Sequence, residues 1–172
     1  MSDSEWSNAD DTNLGAQAVY DNDASHLADY GRLYNWYAVD DALSLCPSGW
    51  HVPTDEEWMT MEMALGMSEA ETESMGWRGT DQGTQIKTDY GWLDWLNAGN
   101  GTNSSGFSGL PGGFRRNDGN FYDNGSGGVW WSSSPDGANS WFRHMYYVHE
   151  NVFRDTDNLR TGFSVRCLKD TE

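Results

Sequence analysis

Histidine and cysteine are the residues through which this chain could bind a metal or carry out nucleophilic chemistry, and both are scarce. The sequence has four His and two Cys. His144 and His149 are not spaced as in helical zinc sites, and no CxxC or HExxH motif accompanies them. No nucleophile elbow, P-loop or dinucleotide-binding glycine motif is present. We therefore predict that the chain is not an enzyme and has no metal site.

Two further features leave alternatives open. His51 lies between apolar residues just before a predicted helix, and we interpret it as a structural histidine bonded to the backbone. The rival hypothesis is an oxidase or hydrolase remnant in which His51 meets acids such as Asp55 or Asp94. Oxygen-rich loops at 117–120 and 155–157 could ligate calcium, although neither has EF-hand spacing. Turns and solvated acids explain them better, so we predict no cofactor, with calcium as the alternative.

Cys46 and Cys167 lie near opposite ends of the ordered region. No basic residue beside Cys46 would lower the pKa of its thiol, which argues against a catalytic cysteine. We prefer a disulfide between the two, since such a bridge suits an extracellular or particle-surface protein. Two separate buried thiols are the alternative.

The composition restricts the partners that the chain could have. Its 172 residues suffice for one domain, and a net charge of −17 would repel nucleic acids and anionic membranes. No apolar run is long enough to span a bilayer, and no signal peptide is recognisable. Aromatic residues make up 14% of the chain, including ten Trp, and they can supply a core that the modest aliphatic content could not.

Local patterns place helices early in the chain. Residues 1–16 are acidic and without periodicity, which predicts a loosely ordered lead-in to a single domain over 17–172. Thr54 and Glu57 form a capping box that predicts a helix, and Ser68 and Glu71 form a second one, predicting a short helix to about Met75. The run 31–39 is typical of a strand or a short buried segment.

Strands dominate the remainder of the sequence. After Gly76 no helix is predicted, and hairpin-type turn signals occur at 117–119 and 123–125. Helices early and strands late, without βαβ alternation, predict an α+β domain.

The segment 141–148 alternates, and both of its faces are aromatic. One face carries Trp141, Arg143, Met145 and Tyr147, and the other carries Phe142, His144, Tyr146 and Val148. Residues 152–155 repeat the alternation, as either the return strand or the extended loop of a ribbon would. Rings mixed with small polar groups are typical of recognition surfaces, so this stretch is either an exposed binding face or ordinary packing.

Six sequence blocks occur in order: Gly31–Val39 (GRLYNWYAV), Leu45–Trp58 (LCPSGWHVPTDEEW), Gly101–Phe107 (GTNSSGF), Leu110–Phe114 (LPGGF), Trp130–Ser133 (WWSS) and Gly162–Cys167 (GFSVRC). Together, over about residues 20–169, they resemble the Fibrobacter succinogenes major paralogous domain. That family is similar to the formylglycine-generating-enzyme, or sulfatase-modifying-factor, branch of the C-type lectin fold. The resemblance implies two short helices and a small irregular antiparallel sheet with long loops. It implies no enzyme activity, because the second cysteine pair needed for a copper site is missing.

The C-terminal part also carries a spaced pattern: Trp141, Arg143, Met145 and Tyr147, then Val152 and Arg154, then Gly162–Cys167 (GFSVRC). With Met145 in place of the usual Leu, this pattern over about 130–167 resembles the variable region of proteins diversified by retroelements of phages, archaeal viruses and bacteria. Such systems randomise template adenines, so Asn codons come to encode many residue types but never Met, Trp, Lys, Glu or Gln. The resemblance implies thirteen variable, ligand-contacting positions, none of a forbidden type: Phe142, His144, Tyr146, Val148, His149, Asn151, Phe153, Asp155, Thr156, Asp157, Asn158, Arg160 and Thr161. It implies a scaffold role for Trp141, Arg143, Met145, Tyr147, Val152, Arg154, Phe163 and Val165.

These resemblances lead to the functional expectation. We expect a hypervariable receptor or adhesion protein that binds a protein or glycan on a host or prey cell, without nucleic acid and without membrane insertion. Multivalent display on a virion or on a cell surface would fit this role. The alternative is a bacterial surface or polysaccharide-associated module of the same fold with a fixed sequence.

Overall fold

A computed structural model describes Trp6 and residues 13–41, 45–94 and 99–171. The strands are β1 (Gln17–Ala18), β2 (Leu33–Tyr34), β3 (Trp50–His51), β4 (Gly76–Arg78), β5 (Gly112–Arg115), β6 (Phe121–Asn124), β7 (Gly127–Asp136), β8 (Asn139–Tyr146), β9 (Val152–Asn158) and β10 (Leu168–Lys169). The helices are α1 (Leu27–Tyr30), α2 (Trp36–Val39), α3 (Asp55–Ala64), α4 (Glu69–Glu73) and α5 (Gln82–Ile86). No helix among the described residues is long and apolar enough to cross a membrane. The domain is α+β, as predicted.

The strands form one sheet of six and two small pairs. The large sheet has the order β4-β9-β8-β7-β5-β6, and β1 pairs with β2 and β3 with β10. All pairs are antiparallel except β5 with β7, which run parallel where Gly113 meets Gly128. The small irregular antiparallel sheet that the resemblance implies is therefore mixed at one pair of strands. Strands β8 and β9 form an antiparallel hairpin, so residues 152–155 are the return strand rather than an extended loop.

Both predicted capping boxes are present. Thr54 caps α3 and Ser68 caps α4, and in each case the side chain of a Glu three residues further on accepts from the N-cap backbone. Helix α4 ends at Glu73, short of the predicted Met75, because the backbone of Ser74 is already extended, with φ −69° and ψ 152°. The two helices that the capping boxes predict are confirmed, but the described residues contain five α-helices rather than the two that the resemblance implies.

Helix α5 contradicts the prediction that nothing after Gly76 is helical. It has only five residues, and no side chain caps it at Asp81. A short helix leaves most of its backbone groups without intrahelical partners, so its stability must come from the surroundings. Here the loop 101–109 supplies the partners, since its backbone N–H groups donate to the carbonyls of Thr84, Gln85, Ile86 and Lys87 at 2.8–3.1 Å.

Two local predictions need correction. In the run 31–39 only Leu33–Tyr34 is a strand, because Asn35 then caps helix α2 by accepting from the Ala38 N–H. The turn signal at 117–119 joins β5 and β6 as a hairpin. That at 123–125 does not form one, because β6 is the edge strand and β7 pairs with β5 and β8 instead.

Hydrophobic clusters lie on both faces of the large sheet. The first, against α3 and α5, consists of Trp58, Met67, Ile86, Trp92, Trp130, Met145 and Val152. The second, which includes α2, consists of Trp36, Val129, Trp131, Phe142 and Phe163. Neighbouring residues such as Trp130 and Trp131 therefore face opposite cores, as the pleat of a strand requires.

The lead-in is anchored at the positions that are described. Trp6 is buried, with its ring 4.6 Å from the guanidinium carbon of Arg115. Ala16 is also buried, and its N–H donates to the Asn35 side chain. Both residues are packed against the domain, contrary to a loose attachment. Residues 1–5 and 7–12 lie outside the described residues.

Candidate ligand-binding face

A row of side chains crosses four strands on one face of the large sheet. Trp77 on β4 pairs with Phe153 on β9, Phe153 pairs with His144 on β8, and His144 pairs with Val129 on β7. Because directly paired residues project to the same face, these four side chains lie side by side. The row thus joins β4, which precedes α5, to the aromatic hairpin β8–β9.

The rings on this face form what we call the aromatic patch: Trp77, His144, Tyr146, His149 and Phe153. Trp77 is stacked on His149, with 3.9 Å between ring centroids and 25° between planes. Its centroid lies 5.2 Å from that of Phe153 and 5.7 Å from that of His144. Trp77 is 36% exposed, and the other four are partly buried. A partly exposed group of amphipathic rings offers contact area with little loss of side-chain entropy on binding.

The structure brings most of the thirteen predicted variable residues to this side of the sheet. The strand pairing places six on the patch face: Phe142, His144, Tyr146, Phe153, Asp155 and Asp157. Three more lie in the turn between β8 and β9: Val148, His149 and Asn151. Nine of the thirteen positions therefore lie along one face or in its adjoining turn.

Four predicted positions lie elsewhere. Thr156 pairs with Trp141, and Asn158 pairs with Asn139, which puts both side chains on the opposite face of the hairpin. Arg160 and Thr161 follow the end of β9, and Thr161 is only 3% exposed. Within the patch face, Phe142 is 8% exposed.

Phe142 is the most deeply buried of the predicted variable residues on the patch face. Its ring packs on Phe163 at 5.0 Å and on Phe153 at 6.0 Å between centroids. A ligand could not reach Phe142 or Thr161 without a rearrangement of the surrounding side chains. We therefore leave these two out of the contact surface.

The predicted scaffold residues are divided between the two cores. Met145 and Val152 are buried in the first cluster, with Tyr147 packed against it. Phe163 belongs to the second cluster and Val165 packs against it, on the same side of the sheet as the patch.

Arg143 and Arg154 extend from the hidden face of the hairpin into a buried ionic network. Arg143 donates to Asp55 at 2.6 Å and to Glu62 at 2.7 Å, and Arg154 donates to Asp55 at 2.6 Å. Arg78 donates to Glu62 at 2.6 Å and completes the cluster. All five residues are buried.

This network connects the hairpin to helix α3, which carries both acids. Burial lowers the pKa of Arg78 to about 10, and Glu62 opposes that effect. Trp141 covers Arg154, with the guanidinium carbon 3.7 Å from its ring centroid. The network therefore holds the hairpin from behind and leaves the patch face uncovered by ion pairs.

Burial also determines the charge state of the patch. It lowers the pKa of His144 to about 4, with a smaller contribution from His149, and it lowers the pKa of His149, with a contribution from Lys87. The Nε2 atom of His144 is buried and has no hydrogen-bond partner among the described residues. Burial raises the pKa of Asp157. Both histidines of the aromatic patch are consequently uncharged near neutral pH, although the whole chain is strongly acidic.

The environment of His51 corrects one prediction and bears on another. His51 bonds two carboxylates, Asp170 at 2.6 Å and Glu57 at 2.9 Å, rather than the backbone as predicted. These hydrogen bonds, Asp170 first, raise the pKa of His51. Asp55 is bonded to the buried arginines, so it is not the partner of His51 that the enzyme-remnant hypothesis requires.

The oxygen-rich loops use their carboxylates to order their own backbones. Asp118 accepts from the Asn120 N–H, Asp155 from that of Thr156, and Asp157 from that of Asn158. Within the described ranges, no group of three His, Cys, Asp or Glu side chains lies together as metal ligands would.

Cys46 and Cys167 are joined by a disulfide with an S–S distance of 2.01 Å. The preferred interpretation of the two cysteines is thus confirmed, and separate thiols are excluded. The bridge lies next to the β3–β10 pair, so it ties the segment before α3 to the C-terminal end of the domain.

Sequence reasoning misses Trp77, the most exposed ring of the patch. Trp77 lies 65 residues before Phe142, the first predicted variable position, and nothing in its neighbourhood marks it as a surface residue. The only local signal is a tryptophan directly after Gly76, where the chain turns with φ +81°. The pairing of β4 with β9, which brings Trp77 to the patch, could not be inferred from local pattern.

The geometry defines a class of protein: a disulfide-bonded α+β domain with an aromatic patch on a hairpin that is supported from behind. Comparison of the sequence with known protein families then identifies the family. The chain belongs to the Fibrobacter succinogenes major domain family, whose model matches residues 2–169, and this confirms the resemblance. No curated protein and no solved structure shows a match.

Proposed function

We propose that this protein binds a protein or glycan ligand on another cell or particle through the aromatic patch. The observation that carries the proposal is the contact set of Trp77, His149, His144 and Phe153, which forms a partly exposed surface on a hairpin held from behind. Rigid rings on a fixed support are efficient contact residues, because few rotatable bonds must be immobilised. No catalytic step is part of this proposal.

We further propose that a retroelement diversifies the face, and that the fold is C-type-lectin-like. Nine of the thirteen residues expected to vary lie on the patch face or in its turn, which supports diversification. The early short helices, the loop-rich sheet and the disulfide support the proposed fold. Display of many copies on a virion or cell surface would convert a modest affinity, about micromolar for one copy, into firm attachment.

Sequencing the DNA that flanks the gene tests the diversification. We expect a near-copy of the codons for 130–167, beside a reverse transcriptase gene, that differs from the gene only where the copy has adenine. The codon for Trp77 should lie outside the repeat, so that Trp77 is a constant anchor among variable neighbours. Flanking DNA without such a repeat would leave the alternative, a fixed-sequence surface module that uses the same patch.

A substitution in the patch tests ligand binding itself. Replacing Trp77 by Ala should weaken binding by about tenfold or more, since exposed Trp residues at the centre of an interface are frequent hot spots. The measurement is binding of the multimerised protein to a glycan array and to whole cells, followed by titration of each positive.

Trp50→Ala is the matched control for this variant. Trp50 is 41% exposed but lies on β3, in the small pair with β10 rather than in the large sheet. We expect it to leave binding unchanged. Equal losses in both variants, or an unchanged affinity in Trp77→Ala, would refute the patch as the contact surface.

A further inference from the structure

The turn between β8 and β9, residues 147–151, is held through its main chain. The Nζ atom of Lys87 donates to the carbonyl of His149 at 3.0 Å and, just before the turn, to that of Tyr146 at 3.3 Å. The Thr84 N–H in helix α5 donates to the Glu150 carbonyl at 2.9 Å. On the other side, the Tyr147 N–H donates to the Ser126 carbonyl at 2.8 Å. Each of these bonds uses a backbone atom of the segment 146–150.

The approach of helix α5 to the turn depends on a glycine. A Cβ atom on Gly83 would lie 2.3 Å from the Asn151 carbonyl oxygen and 2.7 Å from the Glu150 carbonyl oxygen. Such distances are too short for any side chain, and the obstacle is backbone rather than a flexible side chain. Gly83 therefore permits a direct contact between the helix backbone and the turn backbone.

Two side chains of the turn contribute to its attachment, since Tyr147 packs against the first hydrophobic cluster and the charge of Glu150 acts on Lys87. The outward positions contribute less. Val148 and Glu150 are exposed, and among the described residues no hydrogen bond is made by the side chain of Val148, His149, Glu150 or Asn151. His149 contacts the aromatic patch by stacking on Trp77. Three of the four hydrogen bonds use backbone carbonyls, which every amino acid possesses, and the fourth uses the N–H of Tyr147, which any residue except proline would supply.

Lys87 and helix α5 have a rigid base of their own. Lys87 is 1% exposed, and its ammonium group lies 5.3 Å from the centroid of the Trp92 ring. The loop 101–109 donates hydrogen bonds to the carbonyls of α5 and of Lys87, as described above. A charged donor to a carbonyl is stronger than a neutral one, and here the ammonium reaches two carbonyls.

We propose that Lys87, Gly83 and helix α5 form a main-chain clamp that positions the turn 147–151 whatever side chains its outward positions carry. This inference rests on the proposed ligand-binding function. A binding turn that is held by its backbone can exchange its contact residues without losing its conformation. It makes Lys87 and Gly83 positioning residues that do not themselves contact the ligand.

A display library tests the clamp without any ligand. Codons 148, 149 and 151 are randomised together in the wild-type chain, in Lys87→Met and in Lys169→Met. Lys169 is exposed and serves as the matched control. Folded clones are selected by resistance to protease and sequenced.

We expect the wild-type and Lys169→Met libraries to retain most turn sequences that lack proline. The fraction of folded clones in the Lys87→Met library should be lower by about tenfold or more, with the survivors restricted to few turn sequences. Equal fractions of folded clones in the wild-type and Lys87→Met libraries would overturn the clamp. A wild-type library that keeps only sequences close to the natural turn would overturn it as well.

Amide hydrogen exchange supplies a second readout, which a general loss of stability would not reproduce. In Lys87→Met we expect faster exchange at residues 147–151, with unchanged exchange in the paired part of β8 and β9. If Lys87→Met does not fold, Gly83→Ala replaces it, and the same local acceleration is expected because Cβ displaces the turn. Uniform acceleration over the whole domain, or none in the turn, would contradict the proposal.

The two proposals fail separately. A missing template repeat would refute diversification and leave the counts of folded clones unchanged. Equal counts in the wild-type and Lys87→Met libraries would refute the clamp even if the repeat is found.

Discussion

Replacing Glu62 by Gln is expected to lower the free energy of unfolding by about 3–5 kcal/mol. Glu62 is fully buried and accepts from Arg78 at 2.6 Å and from Arg143 at 2.7 Å. The substitution keeps the shape of the side chain but removes its charge. The single carboxylate of Asp55, which bonds Arg143 and Arg154 but not Arg78, would then balance the charge of three buried guanidinium groups. An uncompensated buried charge is far costlier than a lost surface pair.

The control is Glu56→Gln in the same helix. Glu56 is exposed in the first turn of α3, where its charge contributes at most about 1 kcal/mol through the helix dipole. Urea denaturation followed by tryptophan fluorescence measures both variants against the wild type. Comparable small losses in Glu62→Gln and Glu56→Gln would show that the network does not support the hairpin.

The ionic network also shows what sequence reasoning can and cannot establish. The resemblance assigns Arg143 and Arg154 to the scaffold, and their burial agrees with that role. It does not identify their acidic partners, because Asp55 lies 88 residues from Arg143 and Glu62 lies 81 residues from it. In the sequence, Asp55 and Glu62 cannot be distinguished from the exposed charged residues of an amphipathic helix. Only the packing of the sheet on helix α3 buries them.

Local signals are reliable where a local interaction determines the structure. The capping boxes at Thr54 and Ser68 involve residues three apart, and the sequence predicts both. The alternation in 141–148 also separates the two faces of β8, since Phe142 and Met145 lie in different cores. Helix α5 is not predicted because its carbonyls are satisfied by a loop about 20 residues further along the chain.

The predicted site shows the same division. The pairing of β9 with β8 places Thr156 and Asn158 on the face opposite Phe153 and Asp155. They are among the predicted variable positions because codon chemistry, not geometry, selects those positions. Trp77 is absent from the prediction for the converse reason, since only the pairing of β4 with β9 brings it to the patch.

Removal of the disulfide is expected to be the other large perturbation. The double variant Cys46→Ser/Cys167→Ser should lose about 4–5 kcal/mol of unfolding free energy by the chain-entropy model, because the bridge closes a loop with a sequence separation of 121. Denaturation of the wild type with and without reductant provides the measurement. Reduction should shift the wild-type midpoint to that of the double variant, and the double variant should not respond to reductant.

The location of the bridge makes its effect separable from that of the ionic network. The disulfide joins chain segments beside the β3–β10 pair, whereas Glu62 joins α3 to the large sheet, and the two share no hydrogen-bond partner among the described residues. Losses at independent sites add to within about 0.5 kcal/mol, so the variant lacking both should lose the sum. A wild-type midpoint that does not respond to complete reduction would show that the bridge does not stabilise the domain. A combined loss well below the sum would show that the bridge and the network stabilise the same part of the fold.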